Sequence, residues 1–198
     1  MYMSREFLPD QMPDKYSFGY GVGVTLFSWL EASYCPTLLW MEKHVDGKVK
    51  HAFYNEDRRL NVKVRPLKEG RWWPALAFGM DDVGRLDRIK DGKNLNNYFQ
   101  NLYVVGSKHF DTGGYELGAH LAYRYYVTDV NRKRRGMAGG VTVRPSFYRP
   151  LRATVEWDGK GVNAGVDMLL WHHLFAQCAL VHGSSFMGIL SYHYTMPF

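Results

Sequence analysis

No stretch of about 18 consecutive apolar residues occurs in the 198-residue chain, so no segment reads as a membrane-spanning helix. Cysteine is scarce: Cys35 and Cys178 are the only two, too few for a disulfide framework. Period-two counting puts Cys35 at an inward position and Cys178 at an outward one, so no disulfide is expected. The start, Met1-Tyr2-Met3-Ser4 followed at once by Arg5 and Glu6, lacks the apolar core of a signal peptide. Metal motifs are missing as well. His172 and His173 are adjacent, which on a strand sends them to opposite faces, and no third ligand stands at zinc spacing. Gly19, Gly21 and Gly23 alternate along a strand and open no helix, so they form no dinucleotide loop. Ser107, Ser184 and Ser185 stand in no recognisable nucleophile motif. Neither a metal nor an organic cofactor is expected. The surplus of positive charge is small, 25 Lys and Arg against 19 Asp and Glu, a formal +6. These basic residues are scattered through many segments, which argues against nucleic acid as a partner.

What the chain has in abundance is alternation. In its last stretch Phe186, Gly188, Leu190, Tyr192, Tyr194, Met196 and Phe198 hold every second position. That is the period of a β-strand. Closed by Tyr192, Tyr194 and Phe198, this strand resembles the C-terminal assembly signal of bacterial outer-membrane β-barrels. An edge strand of a soluble sheet shows the same alternation. The pattern recurs upstream, and eleven strands are predicted: 16–26, 30–40, 58–67, 72–81, 97–109, 115–127, 138–147, 151–157, 162–171, 174–181 and 186–197. Pro36 lacks a ladder donor and marks a break or bulge in the second strand. Residues 1–198 read as one domain, with 1–15 as an N-terminal loop.

Long polar loops (42–56, 82–95, with a helical turn near Val83–Ile89, and 128–137) are interleaved with tight turns (27–29, 68–71, 110–114, 148–150, 172–173). Outer-membrane barrels combine short periplasmic turns with longer external loops. Many strands are about ten residues long, the length a tilted membrane strand needs. Trp29, Trp40, Trp72, Trp73, Trp157 and Trp171 fall near strand ends, as in the two aromatic girdles of such barrels. A mean hydropathy of only −0.34 fits, because lipid-facing and lumen-facing residues average out. The apolar face is too large and aromatic to fill a small soluble barrel. The opposite face, with Ser17, Gly19, Gly21, Gly23 and Thr25, suits a crowded lumen wall.

The expected fold is therefore all-β: an antiparallel up-and-down transmembrane β-barrel in the outer membrane of a Gram-negative bacterium. Outer-membrane lipid and the barrel assembly machinery are its expected partners. Single-chain bacterial barrels have even strand counts, so a twelfth strand is expected ahead of Tyr16, with Met1–Ser4 as its last residues and a signal peptide on a longer chain. The alternative fold is a soluble β-barrel that binds a small apolar ligand.

From residue 29 the chain resembles a known family. Trp29-Leu30-Glu31, after a strand and a one-turn reversal, is similar to the PWLE element of the YjbH-like outer-membrane family, with Ser28 where that family often has Pro. Asp57-Arg58-Arg59-Leu60-Asn61-Val62-Lys63-Val64-Arg65 and Leu67-Lys68-Glu69-Gly70 resemble its DRS-type strand and its LKEG turn. Trp73-Pro74-Ala75-Leu76-Ala77-Phe78-Gly79-Met80-Asp81-Asp82 is similar to its PALAVGLxD strand, and Tyr103-Val104-Val105-Gly106-Ser107-Lys108 to its YLVASK. The resemblance implies an outer-membrane barrel tied to exopolysaccharide production or export. It supplies no catalytic residue. The chain departs from the family in showing no signal peptide and no strand ahead of Tyr16.

The candidate site is the set of charges with inward parity: Glu31, Arg59, Lys63, Arg65, Glu116, Arg124, Arg144, Arg152, Glu156 and Asp167. Paired carboxylates can hydrolyse glycosides, which would make the protein an outer-membrane enzyme working on glycan or lipid through Glu116, Glu156 or His120. Buried charges also pair simply because isolated ones are costly, and this second reading is preferred: a non-catalytic lumen network in which Arg59, Lys63 and Arg65 pair with Glu31, Glu116 or Glu156. Such a lumen is narrow or plugged and passes small solutes at most. The basic segment Asn131–Arg135 is a solvated loop or a contact for acidic polysaccharide or lipopolysaccharide phosphate.

Overall fold

The computed structural model describes residues 17–45, 48–83, 100–127 and 135–195. Among the described residues the regular structure is entirely antiparallel strand. In chain order the strands are β1 (Ser17–Gly19), β2 (Val22–Leu26), β3 (Leu30–Val45), β4 (Lys48–Leu67), β5 (Ala75–Asp81) and β6 (Asn101–Asp111). They continue as β7 (Tyr115–Tyr126), β8 (Gly136–Pro145), β9 (Leu151–Trp157), β10 (Val162–Leu170), β11 (Leu174–Val181) and β12 (Ser185–Tyr192). Each lies beside its sequence neighbour in one sheet, with β1 and β2 both on β3.

β1 and β2 are two halves of one strand, since Gly19 faces Thr37 and Val22 faces Tyr34 in a single register. Pro36 divides them. Tyr20 donates its N–H to the Pro36 carbonyl at 3.2 Å, and Pro36 has no N–H to return. The next residue along, between Thr37 and Leu38, is where the β3–β4 ladder slips. The sheet thus has eleven strands and is open: among the described residues β1 and β2 pair only with β3, and β12 only with β11.

Period two decides what each face carries, and the faces are reversed relative to a water-soluble protein. Arg59, Asn61, Asn163 and Asp167 are 3%, 6%, 3% and 6% exposed, whereas Val22, Leu121, Phe186 and Leu190 are 72%, 59%, 76% and 71% exposed. The buried apolar residues among those described include Ala77, Tyr126, Ala138, Ala179 and Val181, mostly small. The polar face is concave. Residues from β2 round to β10 line one cavity of about 600 Å³.

The tight reversals at one end include Phe27-Ser28 (φ 53° and 58°) and Trp171-His172 (φ 47° and 64°), and at the other His182-Gly183 (φ 49° and 68°). Positive φ at both central residues is the type I′ geometry that matches strand twist. Only one of these six positions is a glycine.

Several boundaries differ from the sequence reading. Residues 42–56, read as a loop, are mostly strand: β3 and β4 pair up to Val45 opposite Lys48. The hairpin outruns its neighbours, because β1 reaches only Leu39 and the β4–β5 ladder extends along β4 only as far as Val62, so neither face of that ribbon has to be apolar and the polar composition was misleading. β5 begins at Ala75, not Trp72, because Trp73 turns back to donate its indole N–H to the Lys68 carbonyl at 3.2 Å. The alternation of long loops and tight turns is not regular, since the β3–β4, β9–β10 and β11–β12 connections at the loop end are all short. β12 stops at Tyr192. Tyr192 and Tyr194 are exposed, whereas Phe198, the Val83–Ile89 turn beyond Val83 and the basic segment up to Arg134 lie outside the described residues.

Candidate functional site

Because paired strands align residue by residue, inward side chains form rows across the concave face. One row runs Glu31, Lys63, Gly79, Tyr103, Arg124. In it Lys63 Nζ lies 3.0 Å from both Glu31 carboxylate oxygens. Gly79 has a reason to be glycine: a Cβ there would overlap the Tyr103 phenol, which lies over it. One step towards the loop end, Asn61 donates to Ser33 Oγ at 3.2 Å and Asn101 to Asp81 Oδ2 at 3.1 Å. A further row holds Ser107, His120, Gly140, Glu156 and Asn163.

All ten charges read from the sequence belong to this face, and neighbouring strands bring six of them together as ion pairs: Lys63 with Glu31, Arg144 with Glu116 at 3.1 Å, and Arg152 with Asp167 at 3.0 Å. The other four hydrogen-bond to neutral groups as follows. Arg59 donates to Thr37 Oγ1 at 3.0 Å, Arg65 to the Ser28 carbonyl at 2.6 Å and Arg124 to the Asp158 carbonyl at 2.6 Å. Glu156 accepts from the Asn163 amide at 3.1 Å. The expected glutamate partner of Arg65 is not there, because the turn at Phe27-Ser28 aims a carbonyl at it first.

Glu116 and Glu156 are not a catalytic pair by position. Glu116 faces Arg144 and Glu156 faces Gly140, so they are offset by four residues, about 13 Å along the strand. Glycosidase carboxylates stand about 5–9.5 Å apart. His120 sits between two hydroxyls, Nδ1 2.9 Å from Ser107 Oγ and Nε2 3.3 Å from Thr142 Oγ1.

Outside the strands two carboxylates organise turns. Glu69 accepts the His109 N–H at 2.8 Å, meets His109 Nδ1 at 2.6 Å and pairs with Lys108 at 3.3 Å. Lys108 also donates to the Gly70 and Arg71 carbonyls. Burial works to raise the Glu69 carboxyl, but the hydrogen bonds from His109 and Lys108 hold it at about 2. At the other end Asp158 accepts the Lys160 and Gly161 N–H groups and meets His182 Nε2 at 2.9 Å. Burial again works to raise its carboxyl, and these contacts keep it below the usual carboxylate range. Sequence reading missed Glu69, Asp158, Tyr103 and the asparagines. The signal was present for Tyr103, in the small residues Ala75, Ala77 and Gly79 along one face of β5, and for Glu69, in the Leu67–Gly70 turn that resembles the family's.

The model of the YjbH family, described as exopolysaccharide biosynthesis protein YbjH, matches residues 12–132. No curated protein matches the chain. The matched span contains the Glu31–Lys63 pair, the Glu69–Lys108 latch and the Tyr103–Gly79 contact, so the short segments that carried the resemblance are also the ones that touch one another.

Proposed function

The chain belongs to the YjbH exopolysaccharide biosynthesis family, and from that premise we propose that it is an outer-membrane β-barrel serving exopolysaccharide production or secretion without itself catalysing a reaction. The observation that carries the membrane part is the reversed sheet. An outward face bearing Val22, Leu121, Phe186 and Leu190 is stable against lipid and unstable against water. A soluble barrel with an apolar interior would need the opposite parity. In this reading outer-membrane lipid covers the exterior, the barrel assembly machinery inserts the chain through the Tyr192 end, a twelfth strand covers the two open edges, and the basic segment around Arg135 meets lipopolysaccharide phosphate or acidic polysaccharide. Membrane fractionation tests it. The full-length protein should resist alkaline extraction and migrate differently with and without boiling, and a freely water-soluble monomer overturns the proposal.

The non-catalytic part is supported by the wide offset of Glu116 from Glu156 and by the pairing of Glu116 with Arg144. A chain carrying Glu116→Gln and Glu156→Gln should leave exopolysaccharide output unchanged. Loss of output from a correctly inserted variant would make the protein an enzyme.

A further inference from the structure

The concave face encloses about 600 Å³, the size of a small-molecule site. On its wall Tyr103 and Arg124 stand opposite each other in register. The Tyr103 ring lies over Gly79 because no Cβ is there, so a missing side chain lets an aromatic ring settle against the sheet. Arg124 gives one hydrogen bond, to the Asp158 carbonyl, and makes no ion pair among the described residues. A guanidinium has five N–H donors, so most of its fork is left for a guest. A ring beside such a fork suits a sugar, whose C–H face packs on the ring while its hydroxyls accept from the donors.

The charge on the wall narrows the ligand. Arg59, Lys63, Arg124 and Arg152 are matched in number by Glu31, Asp81, Glu156 and Asp158. A uronic acid would gain at Arg124 and lose beside Asp81 and Glu156. An uncharged polyol can use both kinds of group, taking donors from one set and giving its own hydroxyls to the other.

We propose that this cavity binds an uncharged oligosaccharide segment, seated on Tyr103 and held by Arg124, so that the barrel recognises glycan in its lumen. This rests on the polysaccharide-related role proposed above and names its ligand class. The experiment uses the full chain folded in detergent micelles, with saturation-transfer NMR against maltotriose, cellotriose and mannotriose, and trigalacturonic acid as the acidic comparison. At least one neutral trisaccharide should bind. Tyr103→Ala and Arg124→Met should each weaken it about tenfold, while Tyr103→Phe should retain it. The boiling-dependent gel shift checks that every variant is folded. The proposal is overturned if no neutral trisaccharide binds the wild-type chain, if Tyr103→Ala binds as well as wild type, or if trigalacturonic acid binds more tightly than all three. The two readings fail separately: a wild-type protein that inserts into membranes but ignores the sugars removes the site alone, whereas a water-soluble one removes the barrel.

Discussion

Replacing Glu69 by Gln removes one negative charge and keeps the shape of the side chain. The carboxylate holds the turn at residues 68–70 to the end of β6 through Lys108 and His109. Its pKa falls from an ordinary 4.5 to about 2 on folding, which corresponds to ~3 kcal/mol of stability at neutral pH. The side chain is 26% exposed, and solvent screening reduces the expected effect to about 1–2 kcal/mol. A depressed carboxylate stabilises fully above its unfolded pKa and loses that contribution as pH falls through its folded one. The difference between wild type and Glu69→Gln should therefore be complete above pH 4.5 and shrink steadily towards pH 2. Urea unfolding of vesicle-inserted protein, followed by tryptophan fluorescence at pH 7, 4 and 2.5, measures it, and subtracting the two chains cancels every other titrating group. A gap below about 0.3 kcal/mol at pH 7, or one that does not narrow with acid, refutes the latch. In a Lys108→Met background the Glu69→Gln cost should drop, because part of what Glu69 does is done through that lysine.

Three further outcomes follow from contacts within the sheet. Asp167→Asn should cost about 2–3 kcal/mol because Asp167 is buried against Arg152, whereas Glu31→Gln should cost about 1 kcal/mol or less because that pair is half exposed; chemical denaturation of both variants checks the ranking. Gly79→Ala should destabilise by about 1–3 kcal/mol by driving a methyl into the Tyr103 phenol, and the penalty should vanish in a Tyr103→Ala background, which a double-mutant cycle reads directly. Leu121→Arg on the outward face should cost about 2–4 kcal/mol if that face meets lipid and within about 0.5 kcal/mol if it meets water, so its unfolding midpoint in vesicles separates the two readings.

Strand identity and facing were legible in the sequence because period two is a local signal. Leu60, Asn61 and Val62 alternate in the sequence and alternate in space. Pro36 was legible for a similar reason: a missing N–H interrupts a ladder wherever it falls. The β3–β4 ribbon was not, because a hairpin that outruns the sheet is free of the constraint that makes strands recognisable. Partners of individual charges were only half legible. Parity says that Arg124 and Glu156 point inward, but whether they meet a charge, an amide or a carbonyl depends on register and on turns such as Asp158–Gly161. Tyr103 over Gly79 needed two strands placed side by side before it could be seen.

The order of the sheet carries a kinetic consequence. Every strand lies next to its neighbour in sequence, so each new row of hydrogen bonds closes a loop no longer than one connection, and the entropy of that closure rises only slowly with length. Sheets built from distant segments must search for their partners before any contact rewards them. Here assembly can advance one hairpin at a time from either end, and among the described residues no strand pairing calls for a long-range search.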